Sequence, residues 1–205
     1  MNRFKLLLVS LVALAGSFSA QSQTYIKTNA LYWLALLPNA QVETYLSERL
    51  TFQGEINGSL WADIGEGRPM RGVQLISGIR YYLKAAFEGF YVGGDLSFDL
   101  YDVSKWNYWY STDWISIQHG MGYYVGATFG YQKPIGERWN MDFFVGGGWH
   151  LGKYWGERFY NDGTSEAYVL WNGSGEWIPY KAGVTFSYRL TSSGRGNSSS
   201  GKRCK

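Results

Sequence analysis

Charged side chains of this sequence recur on only one side of short segments in which polar and apolar residues alternate. Carboxylates and cations held away from water need partners of opposite charge, so we predict an internal network of salt bridges. An alternative use of the same groups is a pathway for protons or ions. The predicted network contains Lys27, Glu43, Glu55, Arg80, Asp95, Asp99, Asp142, Lys181 and Arg189.

The two histidines, His119 and His150, are candidates for catalysis. A histidine combined with a serine and a carboxylate activates a nucleophile, and Asp99, Ser116 and His119 are the candidates for an enzyme that acts on lipid. On an extended strand, however, neither histidine has a serine as its neighbour on the same face. We therefore predict a protein without enzymatic activity and keep a lipid-modifying enzyme as the alternative.

Two stretches between the alternating segments are rich in aromatic residues and poor in charge. Exposed aromatic rings suit stacking on sugars or docking to a protein, so these stretches are candidates for binding a protein or a glycan. In an alternative interpretation, the strands continue through both stretches and the rings pack between neighbouring strands. The candidates are Trp106, Tyr108, Trp109, Tyr110 and Trp114 in the first stretch, and Tyr154, Trp155 and Trp171 in the second.

The sequence contains no convincing motif for a metal ion, a cofactor or nucleic acid. Asn161, Asp162 and Gly163 resemble part of a calcium loop, but the spaced ligands of an EF-hand are missing, so we predict a turn there. The single cysteine, Cys204, excludes a disulfide framework and a cysteine zinc site. A net charge of +3 is too small to indicate nucleic-acid binding.

The elements that must position these residues are strands. Between Phe90 and Leu100 the even positions are apolar or glycine, whereas the odd positions include Asp95, Ser97 and Asp99. A period of two is typical of a strand with one apolar and one polar face. The same period, clean in six segments and weaker in the first two, predicts eight strands at residues 26–36, 40–46, 50–61, 73–83, 90–101, 121–132, 139–151 and 178–190.

The polar faces of these segments separate two β architectures. In a soluble β-sandwich the polar face meets water and carries Lys and Glu freely. Here it carries glycine, small polar residues and a few balanced charges, and no apolar face carries a charge. This pattern favours an all-β fold, an eight-stranded antiparallel up-and-down transmembrane β-barrel with a narrow, filled interior.

The predicted connections agree with such a barrel, which has short turns at one end and long loops at the other. Residues 47–49, 84–89 and 133–138 form the short set. Residues 62–70, 102–119 and 153–176 form the long set, and residues 37–39 are an exception because they are short.

The two ends of the chain differ from the segments between them. Residues 1–5 include Arg3 and Lys5, and residues 6–18 are apolar apart from serine and glycine. This order predicts a cleaved secretory signal peptide at residues 1–22, because the apolar stretch is too short to span a membrane. We predict that residues 23–190 form the barrel and that the basic, Ser/Gly-rich residues 191–205 are a disordered periplasmic tail.

The overall composition is unusual for a soluble domain. The chain has 27 Gly but 4 Pro, 19% of its residues are aromatic, and 17% are charged. The combination of few charged residues and no long apolar run excludes a bundle of membrane helices, a coiled coil and a disordered polar chain. An alternating sheet accounts for this mixture, since its lumen accommodates glycine and its interfaces accommodate aromatic rings.

Several groups of residues resemble a known family. They are Lys27-Thr-Asn-Ala-Leu-Tyr32, Pro38-Asn39, Val42-Glu43, Gln74, Arg80-Tyr81, Gly130-Tyr-Gln132 and Gly136-Glu-Arg-Trp-Asn140. On these residues, the chain resembles the Bacteroidota outer-membrane β-barrel family catalogued as a domain of unknown function, number 3575, over most of residues 27–190. The resemblance implies an outer-membrane barrel without assigned chemistry, and it suggests partners in surface fimbriae. The basic tail departs from the family.

These observations together lead to one functional expectation. We expect a small, closed outer-membrane barrel without enzymatic activity, metal or cofactor, with a structural or surface-binding role. Outer-membrane lipid and lipopolysaccharide would surround it, and its aromatic stretches would bind an extracellular protein or glycan. The alternatives are a lipid-modifying enzyme of the outer membrane and an accessory protein of surface fimbriae.

Overall fold

The computed structural model describes residues 23–65, 67–104 and 113–190. The predicted signal peptide at residues 1–22 and the predicted tail at residues 191–205 lie outside these ranges. Four of the aromatic binding candidates also lie outside them: Trp106, Tyr108, Trp109 and Tyr110.

Eight strands and one short helix make up the described residues. Their order is β1 (Thr24–Asn29), α1 (Ala30–Leu34), β2 (Asn39–Ser47), β3 (Leu50–Trp61), β4 (Met70–Tyr82), β5 (Gly89–Val103), β6 (Trp114–Pro134), β7 (Trp139–Tyr160) and β8 (Ser165–Arg189). No helix in these described ranges has both the length and the apolar character needed to cross a membrane.

The strands form one sheet that closes on itself. Each strand pairs in antiparallel fashion with the next, and β1 pairs with β8 in a register that places Ile26 opposite Tyr188. The result is a closed barrel in which strand order follows chain order. The predicted all-β fold of eight antiparallel strands in a single ring is therefore confirmed.

The two faces of the sheet have opposite characters, as the alternation predicts. On β5, Phe90 and Leu96 point outward with 64% and 60% of their surface exposed, whereas Tyr91 and Asp95 point inward and are 2% and 5% exposed. Water-soluble proteins place their residues the other way round. The few buried hydrophobic residues of the described ranges are Tyr25, Ile76, Tyr82, Phe87, Tyr91 and Phe144.

The predicted first strand at residues 26–36 is wrong in its second half. β1 ends at Asn29, whose side chain accepts a hydrogen bond from the backbone N–H of Leu31 at 3.1 Å and so caps α1. Asn is a preferred N-cap residue, and alanine and leucine favour the helix that follows. The apolar run after Asn29 does not alternate in polarity, so no period of two held it in a strand.

The predicted long loop at residues 153–176 is also wrong, because strands continue through most of it. β7 and β8 contain 22 and 25 residues and turn at residues 161–164. Asp162 Oδ1 accepts hydrogen bonds from the Thr164 hydroxyl at 2.6 Å and from the Thr164 backbone N–H at 2.9 Å, and these bonds lower the pKa of Asp162. Gly163 adopts a φ of 85°, so the predicted turn at Asn161, Asp162 and Gly163 is confirmed.

The two ends of the barrel differ in the length of their connections. At the short-turn end, tight turns join β2 to β3, β4 to β5 and β6 to β7, and the strand ring begins at Thr24 and ends at Arg189. At the other end, here called the hairpin end, lie α1, the last residues of β3 and β5, the first residues of β4 and β6, and the β7–β8 turn. The hairpin end is uneven, because β6, β7 and β8 contain 21, 22 and 25 residues whereas β1, β2 and β3 contain 6, 9 and 12.

Inward-facing glycines make room for large interior side chains. A Cβ at Gly130 would lie 2.4 Å from the phenol of Tyr91 and 2.7 Å from the backbone oxygen of Phe143. A Cβ at Gly122 would lie 1.9 Å from Nε2 of His150. At these two positions, the interior accommodates a bulky residue because the facing strand lacks a side chain.

We expect Gly130→Ala to destabilise the protein by about 1–3 kcal/mol, the usual cost of overpacking, because neither Tyr91 nor the Phe143 backbone can move away freely. The free energy of unfolding in urea, measured in phospholipid vesicles, tests this. Gly54→Ala is the matched control, since nothing lies within 4 Å of its Cβ position. Equal effects of the two substitutions would contradict the packing argument.

Candidate functional site

A cluster of four charged residues occupies the interior near the short-turn end. Lys27 Nζ lies 2.6 Å from Glu43 Oε2 and 3.0 Å from Asp142 Oδ2. Arg80 Nη1 lies 2.8 Å from Asp142 Oδ2 and 3.3 Å from Glu43 Oε2. We call these residues the four-residue ion cluster. Two cations contact two carboxylates, so the cluster is balanced in charge.

Hydroxyl groups from neighbouring strands complete the coordination of both carboxylates. Glu43 accepts hydrogen bonds from the hydroxyls of Thr51 and Tyr82. Asp142 accepts one from the Tyr91 hydroxyl at 2.9 Å. Each carboxylate thereby has partners for both of its oxygens, which is the condition under which buried charges are tolerated.

A turn residue closes the interior below the cluster. Phe87, in the β4–β5 turn, adopts a φ of 68° and is 3% exposed. Its ring lies 4.6 Å from the ring of Tyr25 and 6.3 Å from that of Tyr82. The positive φ directs this side chain into the end of the barrel, so aromatic rings separate the ion cluster from the short-turn end.

A second interior cluster surrounds Lys181. Its Nζ lies 3.1 Å from Asp95 Oδ1 and 4.0 Å from Glu55 Oε2. Asp95 also accepts hydrogen bonds from the hydroxyls of Thr128 and, at 2.7 Å, Tyr180. This cluster contains one cation and two carboxylates, so it is not balanced in charge.

Asp99 lies beside His150 toward the hairpin end rather than beside a lysine or arginine. Asp99 Oδ1 is 3.6 Å from Nε2 of His150, and both residues are buried. The imidazole packs on the ring of Tyr124 at 4.3 Å, and Tyr101 lies 6.2 Å away. His150 was not among the residues of the predicted network, although its place on the polar face of β7 was readable from the alternation.

The structure thus brings together eight of the nine residues of the predicted network in three groups. Arg189 is the exception, because it lies at the last position of β8, at the short-turn end. Its guanidinium donates to the backbone oxygen of Glu137 in the β6–β7 turn. A residue at the rim can reach a backbone carbonyl there, whereas the interior clusters lie further along the barrel.

The residues considered for lipid chemistry do not meet. Asp99 and Ser116 point into the barrel, whereas His119 points outward. His119 instead pairs with Asp102, Nδ1 to Oδ1, at 2.6 Å. Within the described residues, no group of three or more His, Cys, Asp or Glu side chains could hold a metal ion.

Most described aromatic candidates at the hairpin end pack against neighbours. Trp155 contacts the ring of His119 at 5.0 Å and that of Trp171 at 5.2 Å. The guanidinium of Arg158 lies 4.7 Å from the ring of Trp114. Tyr154 accepts a hydrogen bond from the Asn172 side chain at 3.2 Å. Strand continuation, the alternative interpretation, therefore describes these rings better than an open loop does.

Three large apolar residues of β8 are strongly exposed. Leu170 is 78% exposed, Trp171 60% and Trp177 64%. Only Trp171 was among the sequence candidates. β8 has a bulge near residues 179–181, where Gly146 pairs with Lys181 but Gly147 pairs with Pro179. This shift reverses which alternate positions face outward, so simple alternation from residue 178 misses Trp177.

We expect Arg80→Met and Asp142→Asn each to destabilise the protein by about 3–5 kcal/mol, because each leaves buried charges without a partner. The double variant should lose clearly less unfolding free energy than the sum of the two single variants, since removing one charge also removes the need for its partner. Urea unfolding of all three variants in phospholipid vesicles measures this coupling, which is about 0.5–3 kcal/mol for contacting residues.

Arg189→Met is the matched control, because Arg189 lies outside the clusters. Arg189→Met should lower the free energy of unfolding much less than Arg80→Met does. Additive losses in the double variant, or an equal loss for Arg189→Met, would show that the four-residue ion cluster does not act as a unit.

Comparison with known proteins identifies the family of the chain. Searches of curated proteins and of solved structures found no match. A family model described as "Protein of unknown function (DUF3575)" matches residues 6–190, which include every strand of the barrel. The match covers most of the chain, and the protein therefore belongs to the DUF3575 family.

Proposed function

We propose that this protein is a small, closed outer-membrane β-barrel that has no enzymatic activity and presents a surface for binding outside the cell. The observation that carries the proposal is the inverted arrangement of its side chains. Arg80, Glu43 and Asp142 are almost completely buried, whereas apolar residues such as Leu96 and Phe129 cover the outside. An apolar surface of this extent is stable when lipid surrounds it.

The height of the apolar belt supports placement in a bilayer. On β7 the outward positions are apolar or glycine from Trp139 to Leu151, and Lys153 follows. At about 3.3 Å per residue and a tilt of about 45°, this stretch spans about 30 Å along the barrel axis, close to the thickness of a hydrocarbon core. Tyr81, Tyr131 and Trp139 are exposed at the short-turn end, where an interfacial girdle belongs.

The N-terminal sequence supports export across the inner membrane. Residues 1–22 have the cationic start, the apolar centre and the small residues of a cleaved signal peptide. An exported protein with this fold has the outer membrane as its destination, with the short-turn end in the periplasm.

The filled interior supports a role without transport. Eight-stranded barrels have interiors just wide enough for side chains, and here the three charged groups and the Phe87 side chain occupy that space. The groups considered for lipid chemistry lie on opposite faces of the sheet. A closed, inert barrel serves as a support for whatever extends from its rim.

The long strands supply the surface for binding. β7 continues for nine residues beyond Leu151, which corresponds to about 20 Å above the belt at the same rise and tilt. On the neighbouring β8, Leu170 and Trp171 are exposed. Large apolar and aromatic side chains at the hairpin end suit an extracellular protein or a glycan.

Leu96→Arg tests membrane placement. Leu96 lies at the middle of the outward face of β5. A lipid-facing arginine near the midplane costs about 2–4 kcal/mol, so the variant should lose stability in vesicles and accumulate less in the outer membrane. A water-exposed leucine would tolerate arginine within about 0.5 kcal/mol.

The control for this test is Leu170→Arg, which introduces the same charge at the hairpin end. It should leave unfolding free energy and heat-modifiable gel migration unchanged, because water surrounds Leu170 in the proposed placement. If Leu96→Arg is as harmless as Leu170→Arg, the barrel does not reside in lipid.

The binding role is tested on whole cells. A photo-crosslinking amino acid at Trp171 should form adducts with an extracellular protein or glycan, identified by mass spectrometry, because Trp171 is exposed at the hairpin end. The same group at Leu96 should label lipid only. Adducts restricted to lipid at both positions would contradict the binding role while leaving the membrane placement intact.

A further inference from the structure

A row of polar residues crosses four strands on the outer face of the barrel. Arg71 of β4 lies opposite Asp102 of β5, Asp102 lies opposite His119 of β6, and His119 lies opposite Trp155 of β7. All four point outward, on the face that is apolar closer to the short-turn end. The row therefore marks the level at which the apolar belt ends.

Asp102 of this row already has a partner, whereas the nearby cations Arg71 and Lys153 have no salt-bridge partner among the described residues. Asp102 contacts His119 at 2.6 Å, and the imidazole stacks on Trp155 at 5.0 Å and 24°. Arg71 and Lys153 form no ion pair within the described residues. Lys153 flanks the row, since it is two residues from Trp155 on the same face of β7. Within the described residues, two cations therefore lie without a salt bridge beside a carboxylate that is hydrogen-bonded to an imidazole, and this arrangement favours an anionic ligand.

A hollow of about 380 Å³ lies along the row, between β4, β5 and β6. Its polar side is formed by Arg71, Asp102 and His119. Its apolar side is formed by the residues two positions along each strand on the same face: Val73, Leu100 and Met121. An amphiphile whose negative charge lies where its polar head joins its acyl chains fits both sides at once.

We propose that this hollow binds the phosphorylated sugar headgroup of an outer-leaflet lipid, as found in lipid A. Arg71 provides a planar pair of donors for the phosphate and Lys153 a second positive charge. Trp155, which packs against His119 and Trp171, would place an aromatic ring beside the sugar. Acyl chains would continue over Val73, Leu100 and Met121. The inference depends on the proposed outer-membrane placement.

The test measures lipid binding to the purified full-length barrel in detergent micelles by native mass spectrometry. The probes are bisphosphorylated lipid A, the same lipid A after enzymatic removal of its phosphates, and inorganic phosphate. We expect the phosphorylated lipid to bind more tightly than the dephosphorylated lipid. Arg71→Ala with Lys153→Ala should weaken its binding by about tenfold for each cationic side chain removed.

The control is Lys133→Ala with Arg138→Ala, which removes the same charge from exposed positions at the short-turn end. It should leave the affinity for lipid A unchanged. Equal weakening by both double variants, or equal binding of both lipids, would overturn the site. Displacement of lipid A by inorganic phosphate at matched concentration would replace it with a free-phosphate site.

Failure of this inference differs from failure of the proposed function. Both double variants should retain heat-modifiable gel migration, because all four side chains are exposed. If the protein inserts and responds to Leu96→Arg as expected but does not prefer phosphorylated lipid, only the proposed headgroup site is refuted. If the protein is insensitive to Leu96→Arg, the proposed membrane placement is refuted as well.

Discussion

The four-residue ion cluster is the interaction on which the rest of the structure depends. Its members come from β1, β2, β4 and β7, and the hydroxyls that complete it come from β3, β4 and β5. Charges in a poorly solvated interior are tolerated only when each has its partners. Those partners meet only when the ring of strands closes. Closure of the barrel and neutralisation of its charges therefore require each other.

An interior filled by polar groups leaves the outer face of the sheet to the apolar residues. Alternation along each strand carries out this division residue by residue, so every inward charge such as Asp95 has outward apolar neighbours such as Leu96. The presence of glycine at inward positions follows from the same constraint. The rings and charges that fill a narrow interior need facing positions without side chains, as Gly130 provides for Tyr91.

At the hairpin end, outward positions are no longer restricted to apolar residues, and charged side chains appear there. Above Leu151 of β7 and Leu100 of β5, outward positions change from apolar to charged within two residues, at Lys153 and Asp102. Further along, β6, β7 and β8 continue as three paired strands, because β6 pairs with β7 as far as Trp114 and Tyr160, whereas β1 meets β8 only from Thr185 onward. This three-stranded extension beside a polar row is a consequence of strands of unequal length around one ring.

The sequence by itself determined the eight strands, the inward or outward direction of most side chains, and the polarity of the interior. Alternation is a local property, since neighbouring side chains of a strand point to opposite faces whatever the fold around them. Only the tertiary structure decided which charges meet. Arg80 and Asp142 are far apart in the chain and touch across the interior, because register and curvature bring β4 and β7 together there. Tertiary structure also placed Arg189 at the rim and paired Asp99 with His150. Those outcomes depend on where each strand stops and which strand faces it, and a period of two contains no information on either.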